Sequence, residues 1–301
     1  NATNEILLDM TFLEGNLTTG HRTSIRSGLP TPTWRKLYGG VQPTKSRAVQ
    51  VTDNTGMMED YSEVDKALVD MAGNPAGFRL QEDRPHIEGM NQEFASTLFY
   101  GDESTAPEEF TGLSARYNSL SAENGDNIIN GGGSGSDNAS VWLICWGPNT
   151  CHGIIPKGSM AGVQQRDLGE VTLENADGAN GRMQAYRTHY RWDVGLSVRD
   201  WRYAVRIANI DRSALTYNAA SGAIINDLMH QAWTELPSTS AGRCAWYMDK
   251  SILSMLRRQT SSAVSSSTLS VDMVGGTMQT SWGGIPIRRC DALRGNEATV
   301  S

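Results

Sequence analysis

Cysteine is scarce: Cys145, Cys151, Cys244 and Cys290 are the only four in 301 residues. So few, so widely spaced, exclude a disulfide-stapled secreted scaffold, and a chain of this length can bury a core without staples. Reduced thiols are expected. No apolar run approaches the roughly 20 residues that span a bilayer, and the opening NATNEILLDM has neither a basic leader nor a long apolar stretch. The expectation is a soluble, cytosolic chain with no membrane partner. An excess of positive charge is missing too: 26 Lys and Arg stand against 33 Asp and Glu, a net charge of −7, which excludes gripping nucleic acid through the charge balance of the whole chain.

Catalytic patterns are equally absent. The five His show no HExxH spacing, and no Ser sits in a GxSxG elbow. GGVQPTKS (39–46) fails as a phosphate loop, because Thr44 stands where Gly is needed and Pro43 removes a backbone donor. The carboxylates Glu59, Asp60, Glu82, Asp83, Glu108 and Glu109 read as solvated faces or helix-terminal charges, not acid/base dyads. No catalytic residue, metal site or cofactor is expected.

The most chemically loaded stretch is SVWLICWGPNTCHGIIPKG (140–158), with two Trp, two Cys and a His. It lacks C-x2-C pairing and a second ligand cluster, so the thiols read as small buried hydrophobes and Trp142 and Trp146 as core or interface anchors. A rival reading makes this Trp-rich segment the stacking platform of a β-rich carbohydrate-binding module or enzyme. Seven arginines from Arg182 to Arg212 tilt one region basic, and cross-strand ion pairs and subunit contacts are preferred over a nucleic-acid surface as the explanation, since the aromatics here lie on the opposite strand face.

Periodicity then sketches the layout. Residues 1–35 show no sustained period and read as an arm. RKLYGGVQP and RAVQVTD, around Gly, Pro and Asn, suggest a projecting hairpin over 36–60. Ile87, Met90, Asn91, Phe94 and Leu98 share one face of a helix over 79–100, starting near Asp83 and stopped by Gly101. GGGSGSDNAS (131–140) separates two structural units. Tyr190, Trp192, Val194, Leu196 and Val198 alternate along a strand whose phase changes near Asp200, before helices over 221–236 and 245–258.

MNQEFASTLFYGDESTAPEEFTGL (90–113), following an arm and a projecting hairpin, resembles the major capsid proteins of tailed bacteriophages, of the Hong Kong 97-type fold. YSEVDKAL (61–68), WGPNTCHGIIPKGS (146–159), YRTHYRWDVGLSVRDWRYAVRIANID (186–211) and AWYMDKSIL (245–253) bring it nearest those of short-tailed phages. The resemblance implies an α+β fold with an N-terminal arm (1–35), an extended loop (36–60) and a peripheral domain (61–135 and 180–212) holding a spine helix (79–100). An axial domain (136–179 and 213–301) completes it, with a rearranged strand order, since the long strands precede the last helices. It further implies a structural protein of the virion that assembles in the host bacterial cytoplasm. Its partners would be its own copies in hexamers and pentamers, scaffolding, portal or decoration proteins, and packaged DNA enclosed without sequence-specific binding. Trp34, Tyr38, Lys45, Met57 and Met58 are the candidate subunit-interface residues. Lys45 is also a conceivable donor for the Lys–Asn isopeptide bond of some family members; with no acceptor identified, no crosslink is expected.

Overall fold

The structure, a computed structural model, describes residues 4–174, 178–218, 220–262, 269–274 and 277–301. A short helix α1 (Ile6–Asp9) and strand β1 (Phe12–Glu14) precede a hairpin of β2 (Gly20–Gly28) and β3 (Arg47–Asp65). Helices α2 (Lys66–Met71), α3 (Pro75–Tyr100) and the single turn α4 (Leu113–Arg116) follow. Then come β4 (Ile128–Asn130), β5 (Asn138–Trp146), β6 (Cys151–Ile155), β7 (Gln164–Glu174), β8 (Arg182–Val198) and β9 (Ala204–Asp211). The chain closes with α5 (Ile225–Glu235), β10 (Arg243–Met248), α6 (Lys250–Ser262), β11 (Leu269–Val274), β12 (Thr277–Trp282) and β13 (Ile285–Arg289).

All these strands join one mixed sheet. At its centre β5 is buried along its whole length and lies antiparallel to β10 on one side and β9 on the other. Because successive side chains of a strand point to opposite faces, Trp142, Ile144 and Trp146 enter one core while Val141, Leu143 and Cys145 enter a second. Met90, Phe94 and Leu98 of α3 contribute to the first core; Met229 and Ala232 of α5 and Ile252 and Leu256 of α6 contribute to the second. Each large apolar side chain so buried contributes about 1.5–3 kcal/mol of transfer free energy. Tyr190, Trp192, Val194, Leu196 and Val198 of β8 all face the first core, as their alternation predicts. The change of phase occurs in a 3-10 turn, Trp201–Tyr203, which Asp200 caps by accepting from the Arg202 N–H at 3.2 Å.

Helix α3 starts earlier than its apolar stripe suggests. Asn74 caps it, accepting from the Gly77 N–H at 3.1 Å, and Pro75 fills the first position, where no N–H is needed. Pro85 therefore lies inside the helix, not in its first turn. The intrahelical bond it forgoes is to the carbonyl of Gln81, and both residues are exposed, so water can satisfy that carbonyl. The 26 residues span about 39 Å. Gly101 ends the helix, its N–H donating to the Thr97 carbonyl, while the Gly112 N–H donates to the Gly101 carbonyl; both bonds are 2.8 Å long. A side chain on either glycine would strike this backbone.

Four expectations are corrected. Residues 4–14 are no free arm: Ile6 is buried, β1 pairs parallel with β6, and Arg288 bonds Asp9 at 3.0 Å. The strand partner of RAVQVTD is β2, not RKLYGGVQP, which carries no strand; the hairpin thus begins at Gly20. Ala245–Met248 belongs to β10, buried on both faces, and helix α6 starts only at Lys250. The glycine run at 131–140 does not divide the sheet, since β4 before it and β5 after it both pair with β9.

Candidate functional site

Strand β3 serves two partners. Its first half pairs with β2, from Gly20↔Asn54 to Gly28↔Arg47, and its second half, Thr55 to Asp65, pairs with β8. The β2–β3 ribbon is thus an outward continuation of a strand anchored in the body. Its connecting segment, residues 29–46, contains no strand, and every residue in it is exposed except the half-buried Gly39. Tyr38 holds a left-handed backbone with φ 61°, and a turn closes through the Gly39 N–H donating to the Lys36 carbonyl at 3.0 Å.

The candidate interface residues fall in two places. Trp34 and Tyr38 are fully exposed on the connecting segment, and Lys45 is exposed on the same stretch. Met57 and Met58 lie further back, on the part of β3 that pairs with β8. Met57 is 58% exposed, whereas Met58 is half-buried and packs against the first core. Leu29, Leu37 and Val41, which the sequence reading passed over, are also exposed on the connecting segment. Large apolar side chains are thus concentrated, uncovered, on one short segment.

Charge separates along the same line. Between Glu14 and Asp53 the chain carries Arg22, Arg26, Arg35, Lys36, Lys45 and Arg47 and no acidic residue, whereas residues 53–126 carry sixteen Asp and Glu against four Lys and Arg. Counting charge by segment instead of over the whole chain exposes this signal.

At the ribbon's root, Asp53 is buried and bonds Arg116 at 2.8 Å and the Ser197 hydroxyl at 2.7 Å. Beside it His152 is 1% exposed, and neither ring nitrogen has a hydrogen-bond partner among the described residues. Burial, reinforced by the His21 ring 5.9 Å away, lowers its pKa to about 4, so the imidazole is neutral. An open cleft of about 560 Å³ adjoins the root, lined among others by Thr18, Met57, Lys157, Met160 and Arg191. Arg191 is paired there with Asp193 at 3.0 Å and Glu59 at 3.7 Å. These contacts hold a ribbon in place; they do not set a nucleophile beside a base.

The Trp-rich stretch is interior. Trp142 and Trp146 are 0% and 1% exposed, which removes the stacking platform on which a glycan-binding reading depends. Trp146 donates from Nε1 to the Tyr247 hydroxyl at 2.8 Å, and that hydroxyl bonds Asp9 at 3.1 Å. Cys145 and Cys151 face opposite cores, Cys244 lies against Cys145, and Cys290 sits 3.3 Å from the Asn4 side-chain oxygen. Arg187 makes the expected cross-strand ion pair, with Glu63 at 2.6 Å, whereas Arg202 pairs locally with Asp200, two residues back in the turn, at 2.8 Å.

Over residues 1–301 the chain matches the family described as major capsid protein GP7. The solved structure of bacteriophage Epsilon15 is 36% identical, covering 100% of this chain and 90% of that chain with a TM-score of 0.75. Two looser likenesses are the capsid of a native GTA particle (8% identity, 69% of this chain and 90% of that chain, TM-score 0.48) and the capsid of bacteriophage JBD30 decorated with minor capsid protein trimers (8%, 85% and 82%, 0.47). No curated protein matches.

Proposed function

Since the chain belongs to the major capsid protein GP7 family and is therefore a structural protein of an icosahedral bacteriophage capsid, we propose that its β2–β3 ribbon joins each subunit to a neighbouring copy in the shell. One observation carries this reading: Leu29, Trp34, Leu37 and Tyr38 are exposed on a segment that its own body leaves uncovered. The acidic segment 53–126 offers a sister molecule a surface of opposite sign to the basic ribbon, and such complementarity steers association and fixes register.

The finer reading follows the Hong Kong 97-type plan. The ribbon is the extended loop, α3 the spine helix, and the sheet with its two cores forms the peripheral and axial regions. Copies gather in hexamers and pentamers in the host bacterial cytoplasm around double-stranded DNA, with portal, scaffolding or decoration proteins as further partners. Trp34, Tyr38, Lys45, Met57 and Met58 contact neighbours. Closed symmetry lets many modest contacts act together, so the shell is stable while single contacts stay reversible enough to correct errors. A net charge of −7 suits a wall that confines a polyanion without gripping it.

Electron microscopy of the expressed protein tests this directly. Closed particles tens of nanometres across are expected; a monodisperse monomer at all concentrations would contradict it.

A further inference from the structure

Cys145 and Cys244 stand directly opposite each other on the antiparallel strands β5 and β10, with their Sγ atoms 2.7 Å apart. Facing residues of such strands have Cα atoms about 4.5–5.5 Å apart, inside the range of about 4.4–6.8 Å that a disulfide bridges. Neither of the other thiols competes, since Cys151 faces the opposite core and Cys290 lies against Asn4.

Access is built in on one side. Cys145 is wholly buried, but Cys244 is 8% exposed at the start of β10, directly after residues 237–243, most of which are exposed. Cys244, the member of the pair that solvent reaches, is therefore the thiol that meets an incoming disulfide first.

We infer that Cys145 and Cys244 are a redox-sensitive pair that closes to an intrachain disulfide when a low-molecular-weight disulfide such as oxidised glutathione becomes available. The Cys244 thiolate attacks one glutathione sulfur, the S–S bond breaks, and one glutathione leaves as thiolate while the other stays bonded to Cys244. Cys145 then gives up its proton and attacks the Cys244 sulfur, expelling the second glutathione. Two protein thiols are oxidised and one glutathione disulfide is reduced to two thiols. Resting on the reading of this chain as a shell protein, the consequence is a subunit reduced during assembly in the host and locked once the particle meets oxidising surroundings. Because the two cysteines are 99 positions apart, the link closes a long loop in the unfolded chain and so favours the folded one.

The test incubates the purified protein with oxidised glutathione, unfolds it, alkylates every free thiol and measures intact mass and peptide maps. The expected result is two alkylated cysteines instead of the four in the untreated protein, with the Cys145 and Cys244 peptides joined and a melting temperature that rises and is returned by reduction. The variant Cys244→Ser should keep all three of its thiols alkylatable. Four alkylated thiols throughout, or a bond that recruits Cys151 or Cys290, would overturn the inference. The readout does not depend on shell formation, so it stands apart from any failure of the assembly reading.

Discussion

Arg116 and Asp53 form an ion pair of 2.8 Å at the root of the ribbon, where the Asp53 side chain is 2% exposed. The Ser197 hydroxyl donates to the other Asp53 oxygen at 2.7 Å. Arg116 is 20% exposed and also donates to the Thr111 and Leu196 carbonyls at 3.3 Å, so removing Asp53 costs charge-assisted hydrogen bonds without stranding a fully buried charge. Asp53→Ala is expected to lower stability by about 1.5–3 kcal/mol, read as a shifted denaturant midpoint, and to loosen the ribbon, read as faster amide exchange over residues 20–28. An unchanged midpoint would show that the pair does not hold the root.

A pair buried on both sides fastens the C-terminal segment. Arg206 donates to Glu297 at 2.7 Å, both side chains are about 5% exposed, and Arg206 also donates to the Tyr117 carbonyl at 2.7 Å. The Tyr100 hydroxyl donates to the remaining Glu297 oxygen at 2.5 Å. Glu297→Ala should cost about 3–5 kcal/mol, whereas Arg206→Met combined with Glu297→Leu should recover much of that loss, because apolar pairs replace buried ion pairs at little cost. Urea midpoints of the two variants decide it.

Acid should weaken the subunit through His152. Its pKa is about 4 in the folded chain against 6.5 for the free side chain. Between those values the unfolded chain binds the extra proton, so stability rises with pH. The contribution is fully present above pH 6.5 and is lost progressively as pH falls toward 4, by about 3 kcal/mol in total. His21, Asp53 and Arg199 act on the ring, and Arg116 is paired with Asp53 beside it. The variant His152→Phe should flatten the pH dependence of the melting temperature across this window; an unchanged slope would assign the acid sensitivity elsewhere.

Long regular elements were legible and crossings of element types were not. The alternation of Tyr190 to Val198 gives β8 its inward face, and the repeat of Ile225, Leu228, Met229 and Ala232 gives α5. Ala245 to Met248 is a short apolar run, and a strand buried on both faces cannot be told from a buried helical turn by periodicity. The pairing of β2 with β3 was missed because β2, GHRTSIRSG, is polar and two-sided: a ribbon that leaves its own core has no hydrophobic alternation to betray it. Leu29, Leu37 and Val41 share the uncovered segment with Trp34 and Tyr38, and their exposure is set by the fold, not by any pattern in the residues themselves.

The central claim is that the segment between β2 and β3 has its partner on another copy of the chain. Replacing residues 30–45 with a short Asn-Gly turn leaves both strands and their root intact. The variant is expected to melt within a few degrees of the parent as a dissociated subunit and to form no closed particles by electron microscopy. Full-sized shells at the parent's yield would contradict the account.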